Sequence, residues 1–206
     1  MTTTLPATAD QLFALMKSRR VCRSFTEEPV SDDHLSQITQ AARWATSAGN
    51  RHVHKFLIVR EAETIRRVRA VAPGMLVAPP AMIIILTDAE VAARESVQLN
   101  KDDANCMDIG TAAMNMMNMA HALGLGSCPV TSFSRSGAAV MLDLPNHLTP
   151  EWILILGHPA PRDRGLRPGA PKPVTARDLT YWERAGQHER EPEPGSSGLP
   201  GESDRR

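Results

Sequence analysis

The sequence lacks an excess of either charge, with 23 Lys and Arg residues against 23 Asp and Glu among its 206 residues. Without a net positive field, nothing in the composition indicates nucleic acid or an acidic membrane surface as a partner. Cysteine is also scarce. Cys22, Cys106 and Cys128 are odd in number and widely spaced, with no C-x-x-C pair. This pattern predicts reduced thiols in a cytoplasmic protein and argues against a disulfide framework or a zinc site.

Long apolar runs are missing as well. The longest, MLVAPPAMIIIL at 75–86, is interrupted by two prolines and is shorter than the roughly 20 residues that a membrane-spanning helix needs. The start, MTTTLPATAD, predicts no signal peptide. The sequence has no H-E-x-x-H, P-loop, G-x-S-x-G or strand-borne G-x-G-x-x-G motif. We therefore expect neither a metal nor a membrane partner.

Hydrophobic periodicity predicts helices that alternate with strands. AMIIILTD at 81–88 is apolar on both faces, which predicts a central strand in a sheet that is covered on both sides. Helices are predicted over 9–18, after a cap at Ser31, over 63–71, over 103–126 and after a cap at Ser134 or Ser136, and further strands over 55–60 and 152–159. The alternation predicts an α+β or α/β layer fold.

The predicted long helix over 103–126, stopped by Gly124 and Gly126, is apolar on more than one face. Its methionines are Met107, Met114, Met116, Met117 and Met119. A helix that is apolar nearly all round is buried on more than one side. In a chain of this size we expect a second copy of the helix to cover it, which predicts a homodimer with its seam at 107–121. A core helix in a monomer is the alternative.

The composition changes after Pro159. Residues 159–173 include five prolines and few apolar residues, which predicts an extended arm over about 159–175. From 187 onward almost nothing is available to bury, so we predict a disordered tail over 187–206. The predicted organisation is a single domain over 1–186, including the arm, followed by the tail.

Three stretches carry polar groups that suit different parts of one ligand. RRVCRSF at 19–25 offers three planar guanidinium groups, which match phosphate bidentately. SAGN at 47–50 offers a hydroxyl, a carboxamide and a glycine-loosened backbone. GSCPVTSF at 126–133 is interpreted as a Gly-Ser turn beside a proline-fixed segment with backbone amides free to face a ligand. Together they fit flavin mononucleotide (FMN), whereas a solvated basic face and ordinary loops are the alternatives.

The order of these stretches resembles the FMN-dependent nitroreductase family. Members have an R-R-S-x-R-x-F motif before an acidic-Pro-Val segment, and here the sequence is RRVCRSFTEEPV. P-S-x-x-N-x-Q-P-W-x-F corresponds to TSAGNRHVHKF, and a GLGSC-type turn, LDLPNHL and GHP follow in the family order. The resemblance covers about residues 10–183. It implies an α+β nitroreductase-like fold, with a central, mainly antiparallel sheet flanked by helices, in an intertwined homodimer.

The resemblance also implies FMN as cofactor, NADH or NADPH as electron donor, and a set of residues that contact the flavin. The arginines would hold the phosphate and ribityl chain, the SAGN segment would reach the flavin from the partner subunit, and the backbone after Cys128 would follow the ring edge near N5. The implied contact residues are Arg19, Arg20, Val21, Arg23, Ser47, Asn50, His52, Pro129, Val130, Thr131 and Ser132. Lys172, with Arg167 as second candidate, would complete the phosphate site.

The implied activity is electron transfer from NAD(P)H through flavin N5 to a nitroaromatic or quinone-like acceptor in a ping-pong sequence. No side chain is assigned as a catalytic acid or base, since the cofactor carries the chemistry. Val21 stands where the family has serine, His52 where it has glutamine, and Thr131-Ser132 where many members have Glu-Gly. These departures bear on the substrate and on the choice between NADH and NADPH.

Two other functions stay open at the level of the sequence. CPVTSF and RRVRAVAPGML resemble a sub-branch that includes albonoursin-type cyclic dipeptide oxidases. That likeness implies a flavin-dependent oxidase or dehydrogenase of a cyclic dipeptide or similar small molecule, with a small partner chain or a higher oligomer as further possibilities. The third hypothesis is a flavin-binding carrier or assembly subunit without turnover.

Overall fold

The computed structural model describes residues 8–99, 104–161 and 174–186. They fall in two units, divided between Arg162 and Asp163. The first unit contains α1 (Ala9–Ser18), α2 (Asp32–Arg43), β1 (His54–Val59), α3 (Ala62–Ala70), β2 (Ala81–Asp88), α4 (Ala89–Arg94), α5 (Ala104–Ala122), β3 (Gly126–Val130), α6 (Arg135–Met141) and β4 (Leu148–Gly157). The second contains α7 (Ala176–Leu179).

A four-stranded antiparallel sheet is the centre of the first unit. The strand order is β1-β2-β4-β3, so β2 and β4 are internal and β1 and β3 lie at the edges. Every residue of β2 is buried, because the strand is covered on both faces. The prediction of a central, two-sided apolar strand is confirmed, and so is the α+β class with an antiparallel sheet between helices.

Alternating side chains of the sheet belong to two separate apolar layers. Ile83 and Ile85 of β2 pack with Ile38 of α2 and Met116 of α5 on one face. On the other face, Ile84 packs in a cluster that includes residues of α3 and β3. The segments that contain predicted site residues therefore adjoin a sheet whose two inner strands are packed on both faces.

Helix α5 has one buried face and one apolar face that this chain leaves exposed. Ile109, Ala112, Ala113, Met116, Met117 and Ala120 are buried. Met107 is 68% exposed and Met114 is 45% exposed. Phe13 on α1 is 61% exposed, and no residue of that helix is buried. A single chain does not test the predicted homodimer, which stays a prediction.

Several boundaries differ from the predictions. Helix α5 ends at Ala122 and not at Gly126, because the chain reverses at Gly124, where φ is +77°, and Gly126 already begins β3. A Cβ at Gly126 would lie 2.6 Å from Cys22 Sγ, so the close approach of two backbone segments accounts for this glycine. Helix α4 was not predicted; Asp88 caps it by accepting from the backbone amides of Glu90 and Val91.

Most of the predicted arm and all of the predicted tail, 187–206, lie outside the described residues. The single domain over 1–186 therefore stays a prediction. The predicted cap at Ser31 is present, since its hydroxyl accepts from the amide of His34 at 3.2 Å. Of the two candidates for the cap of α6, the structure uses Ser134. Among the described helices, none combines the length and the apolar character needed to cross a membrane.

Candidate functional site

The arginine segment follows α1 and presents guanidinium groups in three different environments. Nη1 of Arg19 is buried and has no hydrogen-bond partner among the described residues. Arg20 turns back to the end of α1, where its Nη1 donates to the carbonyls of Lys17 at 2.6 Å and of Arg19 at 2.8 Å. Burial raises the pKa of the Cys128 thiol, and the nearby Arg23 guanidinium opposes that shift. Among the three arginines, Arg19 is thus the one with a buried N–H donor that has no partner among the described residues.

This segment lies along the outer edge of β3. Val21 forms a parallel bridge with Ser127, and the amide of Cys22 donates to the carbonyl of Ser127 at 2.9 Å. The amide of Thr26 donates to the carbonyl of His158 at 2.9 Å, after the end of β4. The structure therefore brings the arginine segment beside the start of β3.

The interpretation of Gly126-Ser127 as a turn is wrong, because both residues are buried in strand β3 and pair with β4. In addition, Pro129 has no amide hydrogen and Val130 is buried. Thr131 and Ser132 follow the end of the strand and are exposed. Thr131 and Ser132 are therefore the exposed residues of this stretch, whereas Pro129 and Phe133 are half-buried.

The loop with Ser47, Asn50 and His52 lies at the other end of α5. Its backbone forms a 3₁₀ turn over Ala48–Asn50. Asn50 has a backbone φ of 57° and His52 has a φ of 48°, values that residues other than glycine seldom adopt. The side chain of Asp108 on α5 holds the loop, since both carboxylate oxygens accept from the amide of Ala48, at 3.1 and 3.0 Å.

A cavity of about 200 Å³ opens beside this loop. It lies between the end of α2, the start of β1 and the first two turns of α5, and it is lined by Ala42, Arg43, Ala45, Thr46, Ser47, His52, His54, Phe56, Asp108 and Ala112. Of the predicted site residues, Ser47 and His52 line the cavity, whereas Asn50 hydrogen-bonds to the Nε2 of His52 at 2.8 Å.

His54 is the most constrained polar side chain of the cavity. Its Nε2 lies 2.8 Å from Oδ1 of Asn105, whose Nδ2 donates to Oγ1 of Thr87 at 3.2 Å. Burial lowers the pKa of His54, and the bond to Asn105 and the charge of Asp108 act in the opposite direction. The ring is therefore neutral at pH 7, with its proton on Nε2 and a lone pair on Nδ1.

Sequence reasoning did not assign His54, Asn105 or Asp108 to a site. The available signal was His54 itself, which stands where the nitroreductase motif has tryptophan and so places a polar ring at the start of strand β1. Asn105 and Asp108 gave no such signal, because their partners are distant in the sequence. Lys172 and Arg167 lie outside the described residues.

The predicted site residues of one chain form two groups at opposite ends of α5. At one end, Ser18 Oγ lies 2.9 Å from Nε2 of His121, next to the arginine segment. At the other end, Asp108 binds the loop at Ala48. Asp108 and His121 are 13 positions apart, which is about 20 Å along a helix that rises about 1.5 Å per residue. One chain thus brings the arginine segment to Ser127 and Cys128 at the start of β3 but not to the loop.

An anion fits the arginine group better than the loop. The buried Arg19 Nη1 needs an acceptor, and a phosphate oxygen is the acceptor that a guanidinium group matches best. At the loop, the Asp108 carboxylate would repel a phosphate. Among the described residues, no group of three or more His, Cys, Asp or Glu side chains is placed to bind a metal ion.

Comparison with known proteins gives consistent matches. The profile described as Nitroreductase family matches residues 16–80 and 69–158. An FMN reductase (NAD(P)H) of Bacillus subtilis is 25% identical over 84% of this chain and 75% of its own length. An NADH dehydrogenase of Thermus thermophilus is 28% identical over 78% of this chain and 91% of its own. The solved structure of an FMN-dependent nitroreductase from Clostridium difficile superposes with a TM-score of 0.62 at 23% identity, covering 75% of this chain and 91% of that one.

Proposed function

Because the chain belongs to the nitroreductase family, we propose that it is an FMN-dependent oxidoreductase. It takes electrons from NADH or NADPH and passes them to a nitroaromatic or quinone-like acceptor. The observation that carries the proposal is the buried Nη1 of Arg19, which has no hydrogen-bond partner among the described residues, in the segment whose Val21 pairs with the edge of β3. The names of the relatives, an FMN reductase that uses NAD(P)H and an FMN-dependent nitroreductase, support the same cofactor and donor. The reduced-thiol pattern favours the cytoplasm as its compartment.

The arginine segment holds the phosphate end of FMN in this proposal. Arg19 supplies a buried charged donor, Arg23 a second cation, and Val21 a backbone amide on the same segment. Arg20, whose Nη1 is already bonded to two carbonyls, contributes its positive charge. Thr131 and Ser132, exposed after β3, lie along the ring edge. When bound, FMN supplies reversible hydride chemistry at N5, which no side chain of this chain provides.

A second copy of the chain completes the site. Ser47 and His52 lie at the end of α5 that is far from the arginines, about 20 Å away along the helix axis. An antiparallel pairing of two α5 helices would bring the loop of one copy to the arginine segment of the other. The exposed Met107 and Met114 on α5 and Phe13 on α1 supply apolar surface for such an intertwined homodimer.

In this proposal the nicotinamide donor and the electron acceptor use the same face of the flavin ring, and this sets the order of binding. The nicotinamide donor leaves before the acceptor enters, which gives a ping-pong sequence. The chain's own contribution is to orient the ligands and to neutralise the phosphate charge. We assign no side chain as a catalytic acid or base.

An absorbance spectrum of the purified protein, followed anaerobically after addition of NADH or NADPH, tests the proposal. We expect a yellow protein whose flavin band bleaches with one or both donors and recovers on addition of a quinone. A colourless protein that takes up no added FMN would contradict the proposal. A yellow protein that is reduced by a cyclic dipeptide, but not by NADH or NADPH, would replace it with the oxidase hypothesis.

A further inference from the structure

The end of helix α5 is fixed to the start of β3 by a Schellman-type turn. The amide of Gly124, where φ is +77°, donates to the carbonyl of His121 at 3.0 Å. The amide of Leu125 donates to the carbonyl of Ala120 at 2.8 Å. Such a pair of bonds closes a helix at a residue in the left-handed conformation and satisfies carbonyls of the last turn. The backbone of His121 is therefore fixed relative to β3, which begins at Gly126.

The side chain of His121 contacts the end of α1. Its Nε2 lies 2.9 Å from Oγ of Ser18, the last residue of that helix. The Ser18 hydroxyl donates its own proton to the carbonyl of Leu15 at 3.0 Å, so Nε2 of His121 is the donor in the bond between the two side chains. No residue of α1 is buried, so little apolar packing within the chain holds the helix. The bond to His121 therefore fixes where α1 ends.

The chain is held again three residues after Ser18. Val21 forms a parallel bridge with Ser127 at the start of β3, and only Arg19 and Arg20 lie between the two held positions. Both partners of this short span belong to the end of α5 and the start of β3, which the turn joins rigidly. A span of two residues between fixed ends has little reach to spare, so its ends determine where the two guanidinium groups leave the backbone.

The end of α1 bears on both of these guanidinium groups. Arg19 carries the buried Nη1 that has no partner among the described residues. Arg20 donates to the carbonyls of Lys17 and Arg19, so its head group lies against the same helix end. A guanidinium binds a phosphate through two parallel bonds, so its affinity depends on its orientation as well as on its charge. A displaced end of α1 would therefore weaken phosphate binding without removing any charge.

We propose that His121 is a positioning residue, which through its bond to Ser18 orients Arg19 toward the phosphate group of the ligand. The inference rests on the proposed function, which supplies FMN as that ligand. His121 itself makes no contact with the cofactor in this proposal. Its Nε2 carries a proton both in the neutral tautomer that the bond to Ser18 requires and in the imidazolium form, so the bond is kept in either charge state.

Replacement of His121 by phenylalanine and by glutamine separates the hydrogen bond from the volume of the ring. Phenylalanine keeps a ring without a donor, whereas the amide nitrogen of glutamine can donate to Ser18. We expect His121→Phe to bind FMN roughly two- to ten-fold more weakly in a fluorescence titration of the flavin-free protein, as for the loss of one neutral hydrogen bond. His121→Gln should recover most of that loss. His147→Phe, at a half-buried histidine beside Glu90, is the control and should bind as the wild type does.

Hydrogen exchange of the flavin-free protein gives a readout that needs no cofactor. The amide of Arg19 donates to the carbonyl of Leu15 at 3.1 Å, and it should exchange faster in His121→Phe than in wild type or His121→Gln. Ser18→Ala should reproduce the effects of His121→Phe on exchange and on FMN binding, and it serves as the test if His121→Phe does not fold. The double variant should bind FMN no more weakly than either single variant, because both changes remove the same bond.

The positioning role and the proposed function fail in different ways. If His121→Phe and Ser18→Ala bind FMN as tightly as the wild type, the positioning role is overturned and the proposed function is kept. Equal losses in His121→Phe and His121→Gln, or additive losses in the double variant, would also overturn the role, because they would not trace to this bond. A wild-type protein that binds no FMN would overturn the proposed function, and the positioning role with it.

Discussion

The two ends of α5 differ in how completely their polar groups are paired within the chain. At the His121 end, Arg19 retains a buried donor that has no partner in the part of the chain that the structure describes. At the Asp108 end, the carboxylate, His54 and Asn105 are tied into bonds with Ala48 and Thr87. A buried unpaired donor costs about 1–3 kcal/mol, so the first end gains stability from an anion. The second end already has these polar groups paired within the chain.

Breaking the proposed contact between two copies should have the largest effect, because the loop of one copy would then no longer lie next to the arginine segment of the other. In Met114→Glu, a charge enters the exposed apolar face of α5, and burying it in a dimer seam is strongly unfavourable. We expect a monomer in sedimentation velocity and loss of bound flavin, with association weakened about 100-fold or more. Leu76→Glu, at another exposed apolar residue, is the control and should stay dimeric. A Met114→Glu dimer with flavin still bound would contradict the seam at 107–121.

Removing the charge at the arginine end should have the next largest effect. Arg19→Ala deletes a charge-assisted contact of about 1.5–3 kcal/mol, so FMN affinity should fall roughly ten- to a hundred-fold while the fold is kept. Flavin retained after gel filtration is the measurement, with Arg94→Ala at an exposed position on α4 as the control. Arg19→Lys should recover only part of the affinity, since an ammonium group lacks the planar pair of donors. Flavin retention by Arg19→Ala equal to that of wild type would remove Arg19 from the site.

A smaller effect should follow from pH at the cavity end. Burial lowers the pKa of His54 below its ordinary 6.5, so the unfolded chain binds a proton there more readily than the folded chain. Stability is therefore lost as pH falls below about 6.5 towards the folded-state pKa. In thermal unfolding, the wild-type melting temperature should fall more between about pH 7.5 and about pH 5.5 than that of His54→Gln. Parallel losses in the two proteins would show that His54 does not carry this dependence.

The sequence predicted those parts of the fold that depend on local pattern. AMIIILTD indicated a strand covered on both faces because both of its faces are apolar, and Ser31 indicated the start of α2 because a hydroxyl pairs with a nearby amide. The start of β3 was mistaken for a turn, since Gly126 is required by its contact with Cys22, a residue more than a hundred positions away. Local periodicity carries no record of such a contact.

The sequence indicates candidate members of the site, which stay a prediction, but it does not indicate how they are arranged. Arg19 and Arg23 were identified from their chemistry and from the family motif, whereas the separation of Ser47 from them depends on where α5 begins and ends. The cavity depends on the approach of His54 to Asn105 across 51 positions. Such an approach is fixed by the packing of β1 against α5, which the amino-acid pattern does not reveal.

The length of helix α5 sets the distance between the two groups of predicted site residues. The Ser18–His121 bond marks one end and the Ala48–Asp108 bonds mark the other. An inserted helical turn between these two sets of bonds would displace them by about 5.4 Å and, in the proposed homodimer, would move the loop of one copy away from the arginine segment of the other. The length of α5 between Asp108 and His121 therefore matters to the proposed site even when every contact residue is kept.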